Sequence, residues 1–307
     1  MGNIIVVGSL NMDLVVRVSK MPRIGETIFG KEFLANPGGK GANQAIAAAR
    51  LGGKVTMIGR VGCDSFGETL LNNLNVEGID TSLMQFDKEI PTGIASIMVD
   101  KNGQNSIIVV SGANMRLLPD QVEVALEKIS QISVMLLQLE TPLETIKRAA
   151  IIARKHNATV ILNPSPVNQL SGEVLNWVDI LVPNEIEASQ LTNQTLNNLI
   201  ETEAAAHQLI QRGAKSIVVT LGEKGVLIVN NDSEVIHLEG HRVDPVDSTA
   251  AGDAFIGGLA VGLTEGFSLT EASKLGNAAG ALTVTRPGAQ SSLPNRHEVN
   301  EFLSLHF

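Results

Sequence analysis

The chain has 307 residues, 44% of them hydrophobic, which is enough to bury a core in one large α/β domain or in two smaller units. Its 23 basic and 32 acidic residues give a net charge of −9 with no basic cluster, so nucleic acid is a poor candidate partner. No apolar stretch is long enough to cross a membrane, and no leader pattern precedes the first strand, so we expect no membrane partner and a cytoplasmic location. The single cysteine, Cys63, excludes an internal disulfide, suits a reducing compartment, and is expected to be a small buried residue rather than a catalytic thiol.

Apolar runs of strand length alternate with helical segments along most of the chain. The strands are predicted at 3–8, 55–58, 134–139, 159–162, 180–182, 216–220 and 226–229. The helices are predicted at 45–51, 65–74, 119–129, 143–156, 269–285 and 298–305, with another beginning near 250. This alternation predicts an α/β fold with a mostly parallel central sheet and helices on both of its faces.

Two segments with β character do not fit this alternation. Residues 14–18 and 27–34 form the first, and residues 92–99 and 105–110, joined by Asp-Lys-Asn-Gly, read as a hairpin. We therefore predict a small antiparallel sheet, a lid of residues 14–36 and 91–110, inserted in a main domain of residues 1–13, 37–90 and 111–307. Its apolar strands have exposed edges, which favours pairing of two lids in a homodimer.

Polar residues follow the first predicted strand. Asn11 and Asp13 lie in the loop after it, where open α/β sheets bind ligands. Ordinary turn chemistry would also place Asn and Asp there, so these two residues alone do not identify a site.

A glycine-rich segment at 37–44, Pro-Gly-Gly-Lys-Gly-Ala-Asn-Gln, leads into the first long helix. No Ser or Thr follows Lys40, and the third glycine of the dinucleotide fingerprint is missing, so it is neither a Walker loop nor a Rossmann motif. Its glycines would let backbone amides approach a small ligand while Lys40 and Asn43 donate hydrogen bonds. A purely structural glycine turn is the alternative.

Two further acidic positions follow strands. Glu140 ends the strand 134–139, where a carboxylate can accept hydrogen bonds from substrate hydroxyls. Asn184 and Glu187 lie three residues apart at a helix start. That spacing is typical of a capping box, and a phosphate–metal site held through water is the competing interpretation.

The segment 247–253, Asp-Ser-Thr-Ala-Ala-Gly-Asp, runs into a glycine-rich helix. A helix start attracts anions, and the small residues Ala250, Ala251 and Gly252 would let a phosphate oxygen reach its amides. Asp253 would then lie beside a hydroxyl awaiting phosphorylation, although a first-turn acid can also be only a dipole partner. Gly257, Gly258 and Gly262 make sense in such a helix if it packs closely against a neighbour.

With these motifs in this order, the chain resembles the ribokinases, a group within the PfkB-type carbohydrate kinase family, from Gly8 to Gln290. The segment 38–44 resembles the first signature of that group, and the segment 247–253 resembles the second signature of the family. The wider family often has glycine where Ala250 stands, and alanine there leaves the amides available. The resemblance implies a ribokinase-like fold.

The resemblance also implies a role for individual residues. Asp253 would be the catalytic base, and Ala250, Ala251 and Gly252 would form the anion hole. The sugar would contact Asn11, Asp13, Gly38, Gly39, Lys40, Asn43, Glu140 and Asp253. The nucleotide would contact Asn184, Thr220, Leu221, Gly222, Glu223, Lys224, Gly225, Gly252 and Asn277. A monovalent-cation site, normally for K⁺, would comprise Asp247, Thr249, Thr283, Arg286, Gly288 and Ser292. Glu187 would orient Mg²⁺ through water.

The function implied by the resemblance is ATP-dependent phosphorylation of D-ribose at O5, with Mg²⁺ and K⁺ as cofactors. A kinase for 2-deoxyribose, fructose or a nucleoside is the near alternative, because one methyl or hydroxyl in a pocket can change the preferred substrate. A non-catalytic sugar- or nucleotide-binding sensor on the same fold is an alternative of a different class. A dehydrogenase is disfavoured by the missing dinucleotide fingerprint.

Overall fold

The structure is a computed structural model that describes residues 2–167, 170, 172–232 and 234–306. Its strands are β1 (Asn3–Val7), β2 (Asn11–Arg17), β3 (Glu32–Gly38), β4 (Lys54–Ile58), β5 (Arg60–Gly62), β6 (Gln85–Asp87), β7 (Gly93–Val99), β8 (Asn105–Val110), β9 (Val134–Gln138), β10 (Thr159–Asn163), β11 (Ile180–Leu181), β12 (Ser216–Thr220), β13 (Val226–Asn230) and β14 (Val235–Leu238). Its helices are α1 (Lys40–Arg50), α2 (Ser65–Val76), α3 (Pro119–Leu126), α4 (Leu143–Lys155), α5 (Gly172–Leu175), α6 (Glu185–Thr192), α7 (Leu199–Gln211), α8 (Ala251–Thr264), α9 (Leu269–Thr283) and α10 (Arg296–His306).

The main sheet of the described residues has eight strands in the order β14-β13-β12-β11-β10-β9-β1-β4. Neighbours from β4 to β12 pair in parallel, and β13 and β14 add an antiparallel edge. The predicted fold class, a mostly parallel sheet with helices around it, is therefore confirmed. All carboxyl ends of the parallel strands reach one edge, where α/β sheets place their ligands.

Two hydrophobic cores cover the two faces of this sheet. Ile4 and Val6 of β1 point into a core shared with α1, α8 and α9, whereas Ile5 and Val7 point into one shared with α3, α4 and α7. Successive side chains of a strand point to opposite faces, so a strand buried on both sides needs a continuous apolar run. This requirement explains why β1 reads Asn-Ile-Ile-Val-Val rather than alternating.

Helix α8 packs unusually close to its neighbours. A Cβ built on Gly257 would lie 2.5 Å from Cβ of Ala47 in α1, and one on Gly258 would lie 2.8 Å from Cα of Gly276 in α9. The expectation that this glycine-rich helix packs tightly is confirmed. Close contact on both sides leaves α8 little freedom to shift, so its N-terminus is held rigidly over the edge of the sheet.

A second, separate sheet has the strand order β3-β2-β7-β8, and it contains the segments predicted as the lid. Its outer pairs are antiparallel, as predicted, but β2 and β7 in its centre are parallel. The predicted strand 27–34 is wrong in its bounds, because β3 spans Glu32–Gly38 and passes through Pro37. Proline is tolerated there because β3 is an edge strand and its missing N–H breaks no ladder.

Three local expectations change in the structure. Asn11 and Asp13 are the first and third residues of strand β2 in the second sheet rather than part of a loop, and Asn11 pairs with Gly38. Helix α1 begins at Lys40, earlier than predicted, because Gly39 adopts φ 92° and turns the chain directly into it. Cys63 is exposed rather than buried, since it precedes Asp64, the N-cap of α2.

The sequence did not predict helix α7, the edge strand β14 or the parallel pair β5–β6. Among the described helices, none combines the length and the apolar character that crossing a membrane requires.

Candidate active site

Two cavities open beside the carboxyl edge of the main sheet. The larger has a volume of about 820 Å³, within the range of small-molecule sites, and the smaller about 180 Å³. Asn184, Thr220, Ser248 and Gly252 line both cavities. A molecule in the larger cavity can therefore extend a group into the smaller one past the start of α8.

The start of α8 carries no side-chain cap. Its N-cap residue is Ala250, which has φ 62° and makes no side-chain capping bond, and Gly252 is exposed. The first N–H groups of a helix have no intrahelical acceptors, so this end offers donors and a partial positive charge to an anion. Ala250 thus adopts a left-handed conformation that glycine would adopt without strain.

Asp253 lies in the first turn of α8, is 7% exposed and lines the smaller cavity. Its Oδ2 accepts a hydrogen bond from Nδ2 of Asn43 at 3.0 Å, and its Oδ1 accepts one from Nε2 of Gln44 at 3.0 Å. Helix α1 thus holds both oxygens of the carboxylate. A carboxylate oxygen has two lone pairs, so one remains on each oxygen for a donor in the cavity.

Lys40 lines the same cavity among three carboxylates. Burial opposes its charge, but Asp253, Glu140 and Glu187 together raise the pKa of Lys40 above its ordinary value. The ammonium group is therefore firmly protonated. Glu140 accepts a hydrogen bond from the backbone N–H of Lys40 at 3.1 Å and another from the Ser9 hydroxyl, so it also fixes the glycine-rich turn.

Asp13 is the most perturbed acid of this region. Burial, with the nearby charges of Glu140 and Asp253, raises the pKa of Asp13 to about 7 from an ordinary value of 3.8. Three carboxylates thus share a confined space that a polyhydroxylated ligand could satisfy with its hydroxyl donors.

We expect this perturbation to appear in stability. Because the folded-state pKa of Asp13 exceeds its unfolded value, its contribution to stability is complete below pH 3.8 and is lost as the pH rises through about 7. Asp13→Asn is uncharged throughout, so it should raise the Tm of the ligand-free protein more at pH 8 than at pH 5. Thermal unfolding of both proteins at the two pH values tests this, and an equal difference in Tm at both would contradict it.

Asn11 is fixed by a residue that the sequence did not single out. Asn114 donates to Oδ1 of Asn11 at 2.9 Å and to the carbonyl of Leu10 at 3.0 Å, and its own Oδ1 accepts from the N–H of Leu10 at 3.0 Å. Asn11 and Asn114 are both buried. A lone Asn just after a hairpin gives no sequence signal for this role.

The residues predicted to contact nucleotide gather mainly at the larger cavity. Leu221 instead is buried in the core, and Lys224 lies outside the lining and forms an ion pair with Glu185, which does line it. Predicted residues in the lining are Asn184, Thr220, Gly222, Glu223, Gly225, Gly252 and Asn277. The lining also includes residues that the sequence did not single out, among them Ile186, Val226, Val243, Pro245, Ala281 and Val284. These residues make part of the lining of the larger cavity apolar.

Asn184 and Glu187 form the capping box of α6. Oε2 of Glu187 accepts from the N–H of Asn184 at 2.9 Å, and Oδ1 of Asn184 accepts from the N–H of Glu187 at 2.8 Å. The capping box that the spacing predicted is therefore formed, and both residues also line the smaller cavity. In the described part of the chain, no three His, Cys, Asp or Glu side chains come together as a metal cage.

Four of the residues predicted for the monovalent cation lie on two adjoining loops, namely Asp247, Thr249, Arg286 and Gly288, whereas Thr283 is the last residue of α9 and Ser292 ends a short 3₁₀ helix. Asp247 joins the loops, because its carboxylate accepts from the N–H of Thr249 at 2.9 Å and from the N–H of Gly288 at 2.9 Å. Burial opposes its charge, but the hydrogen bonds from Thr249 and Gly288 lower the pKa of Asp247 below its ordinary value. The hydroxyls of Thr283 and Ser292 are bonded to nearby carbonyls, and Arg286 pairs with Glu298.

The fold and the joined cavities define the class of protein first: an α/β enzyme in which a nucleotide-sized site and a smaller polar site meet at one helix N-terminus. The family follows from the sequence. The chain belongs to the pfkB family of carbohydrate kinases, whose model matches residues 1–296. The predicted family resemblance and the prediction of an enzyme, a phosphotransferase with an alcohol group as acceptor, are confirmed.

Individual relatives match over nearly their full length. A ribokinase of Haemophilus influenzae is 43% identical over 298 residues, covering 97% of both chains. A deoxyribokinase of Salmonella typhi is 39% identical over 304 residues, covering 99% of both. The solved structure of Arabidopsis thaliana ribokinase complexed with ribose and ATP matches with a TM-score of 0.91 at 33% identity, covering 98% of both chains.

Proposed function

We propose that this protein transfers the γ-phosphoryl group of ATP to O5 of D-ribose, giving D-ribose 5-phosphate and ADP. The observation that carries the proposal is the buried carboxylate of Asp253 in the first turn of α8, which lines the smaller cavity next to Gly252, a residue that lines both cavities. The similarity to ribokinases, one of them solved with ribose and ATP, supports ribose as acceptor and ATP as donor.

Asp253 is the proposed catalytic base. Phosphoryl transfer passes through a loose transition state, so positioning and charge stabilisation dominate its catalysis. The amides of Gly252 and Asp253 would stabilise the charge on the moving phosphoryl group, and the amide of Ala251 would join them by leaving its 3.3 Å hydrogen bond to the Ser248 carbonyl, with Ala250 as the N-cap. Asp253 would accept the O5 proton as the bond to phosphorus forms. Lys40, held protonated in the smaller cavity, would neutralise phosphate charge on the opposite side.

The sugar would occupy the space between the second sheet and α1. Asn11, Asp13 and Glu140 supply acceptors for hydroxyl groups, and the absence of side chains at Gly38 and Gly39 lets the Asp13 carboxylate and the backbone of Asn11 pack against them. The side chains of Lys40 and Asn43 supply donors. We also propose that residues 14–36 and 91–110 act as a lid over this space, because closure would exclude water and suppress hydrolysis of ATP.

ATP would lie in the larger cavity with its γ-phosphate at Gly252. Mg²⁺ fits this arrangement if phosphate oxygens and water supply most of its ligands, which is its usual preference. Glu187 lines the smaller cavity and would orient a water bound to the ion. The ion would supply charge neutralisation on the phosphates.

A K⁺ site fits the loops joined by Asp247, because they offer a carboxylate and backbone carbonyls, which are hard oxygen donors. The ion would hold the loop before α8 and hence the orientation of its amides. We expect higher kcat in KCl than in NaCl at equal ionic strength, measured by ADP release. Equal rates in the two salts would contradict the assignment.

We propose that the protein is a homodimer paired through the second sheet. Every residue of edge strand β8 is exposed, including Ile107, Ile108, Val109 and Val110, and Phe33 on β3 is 62% exposed. Such apolar strands are normally covered. Light scattering should give twice the chain mass of 32.5 kDa, and a monomeric mass at micromolar concentration would contradict the proposal.

The exposed free thiol of Cys63 supports a reducing, cytoplasmic location.

The similarity to a deoxyribokinase at 39% identity makes 2-deoxyribose the second candidate substrate. ADP release measured with ribose, 2-deoxyribose, fructose and a nucleoside separates these candidates. We expect the highest kcat/KM with ribose. A higher value with another member of the panel would reassign the acceptor, and no sugar-dependent ADP release would favour a binding sensor.

A further inference from the structure

A set of buried side-chain amides surrounds Asp253, and among them only Asn43 has a role in the activity described so far. Gln44 and Gln138 are both fully buried, on α1 and at the end of β9. Burying an amide is costly unless its hydrogen bonds are replaced, so amides at such positions must be held by specific partners. These partners converge on the carboxylate proposed as the base.

The first arm of this set, meaning a series of hydrogen bonds that ends on one oxygen of Asp253, runs through Gln44. Its Nε2 donates to Oδ1 of Asp253 at 3.0 Å and to Oδ1 of Asn163 at 3.3 Å. Its Oε1 accepts from Nε2 of Gln138 at 2.6 Å. Gln44 therefore uses both of its N–H groups and an acceptor position in a single orientation. Oε1 of Gln138 has no hydrogen-bonding partner among the described side chains, so this arm ends there.

A second arm reaches the other oxygen. Asn43 donates to Oδ2 of Asp253 at 3.0 Å, and its Oδ1 accepts from Nε2 of Gln290 at 3.0 Å. Oε1 of Gln290 in turn accepts from Nδ2 of Asn73 at 2.7 Å. Both arms thus have their N–H groups directed towards the carboxylate.

The direction of both arms follows from the carboxylate. Ionised Asp253 can only accept, so Asn43 and Gln44 must face it with nitrogen. Their oxygens then face Gln138 and Gln290, which must also present nitrogen. The orientation of each side-chain amide is thus determined by its hydrogen bond to the group before it. Rotating any one of these amides by 180° would place two donors or two acceptors against each other. Two donors from α1 therefore fix the plane of the carboxylate, and Asp253 itself lines the smaller cavity.

From this geometry we infer that Gln44, supported by Gln138, is a positioning residue that sets the orientation of the Asp253 carboxylate for proton abstraction from the sugar hydroxyl. This inference rests on the proposed function. Neither glutamine lines the smaller cavity, and both act through Asp253. Misplacement of a reacting group by about 1 Å can cost roughly 10²-fold in rate, so fixing the carboxylate plane has a measurable effect.

The test is a double-mutant cycle with Gln44→Met and Gln138→Met, which preserve size and remove the amides. Gln44→Met should lower kcat about 10- to 100-fold with KM for ribose and for ATP unchanged within threefold. Gln138→Met should lower kcat less, and should have no further effect in the Gln44→Met background, because it acts through Gln44. Losses that multiply would indicate two independent packing effects and overturn the inference.

Controls separate this inference from general damage and from the proposed function. Thr145→Val removes the hydrogen bond of another fully buried side chain, to the Leu117 carbonyl in the opposite core, and should leave kcat unchanged. If Gln44→Met does not fold, Gln138→Met decides alone: a kcat lowered at least threefold at constant KM supports the inference, and an unchanged kcat refutes it. An inactive wild-type protein would refute the proposed function instead, whereas active wild type with unaffected glutamine variants refutes only the positioning role.

Discussion

Asp253→Asn should reduce kcat by about 10²- to 10⁴-fold, the usual contribution of a positioned general base. The variant keeps the size of the side chain, but its amide nitrogen cannot accept a proton and opposes the Nδ2 of Asn43 or the Nε2 of Gln44. Kd values for ATP and ribose, measured by calorimetry, should remain within a few fold. Steady-state ADP release with ribose gives the change in kcat.

The control for this variant addresses the simpler interpretation of a first-turn acid. Glu68 lies in the first turn of α2 and serves as a dipole partner there, so Glu68→Gln should leave kcat unchanged. If Asp253 were only a dipole partner as well, Asp253→Asn would cost stability, by about 1 kcal/mol or less, and activity would survive. Full activity in Asp253→Asn would therefore reject the assigned base.

Gly252→Leu should lower kcat with ATP by about 10²- to 10³-fold, the loss expected when a donor to a developing anion is blocked. A Cβ at this position meets no atom within 4 Å, and Gly252 lines both cavities. The added side chain would therefore fill the space proposed for the γ-phosphate rather than disturb the core. Leucine also favours helix over glycine, so the fold should not be weakened.

A graded substitution separates volume from backbone effects at this position. Gly252→Ala adds one methyl group and brings the same gain in helix preference, so its loss of kcat should be much smaller than that of Gly252→Leu. Thermal unfolding should give a Tm no lower than that of the wild type for either variant. Near wild-type kcat/KM for ATP in Gly252→Leu would mean that the phosphate does not pass this residue.

The main sheet was predictable because its strands are buried on both faces. A segment such as Val134–Gln138 has no alternative to a continuous apolar run, and the intervening helices force parallel pairing. The second sheet was predictable only as an insertion. Its register depends on β2 beginning at Asn11 and on β3 passing through Pro37, and neither follows from local propensity, since proline argues against a strand anywhere except at an edge.

Two segments of the candidate site could be anticipated from their local backbone geometry. The segments around Gly39 and Ala250 need special φ values, and small residues mark both places in the sequence. The amides behind Asp253 were not predictable, because Gln44 is separated from Gln138 by 94 residues and from Asp253 by 209. A glutamine within the apolar run of β9 is the one local sign, and it does not name its partner.

The most direct measurement is a ³¹P NMR spectrum of the product formed from ATP and ribose by the wild-type protein, recorded beside the Asp253→Asn variant. With both samples stopped at the same time, before the wild type exhausts its ATP, the account predicts ADP and a new phosphate-ester resonance, split into a triplet by the two protons on C5, in the wild-type sample, and at least about 10²-fold less of this ester in the variant sample. Consumption of ATP that yields only inorganic phosphate, an ester on another oxygen, or equal amounts of the same ester from both proteins would contradict it.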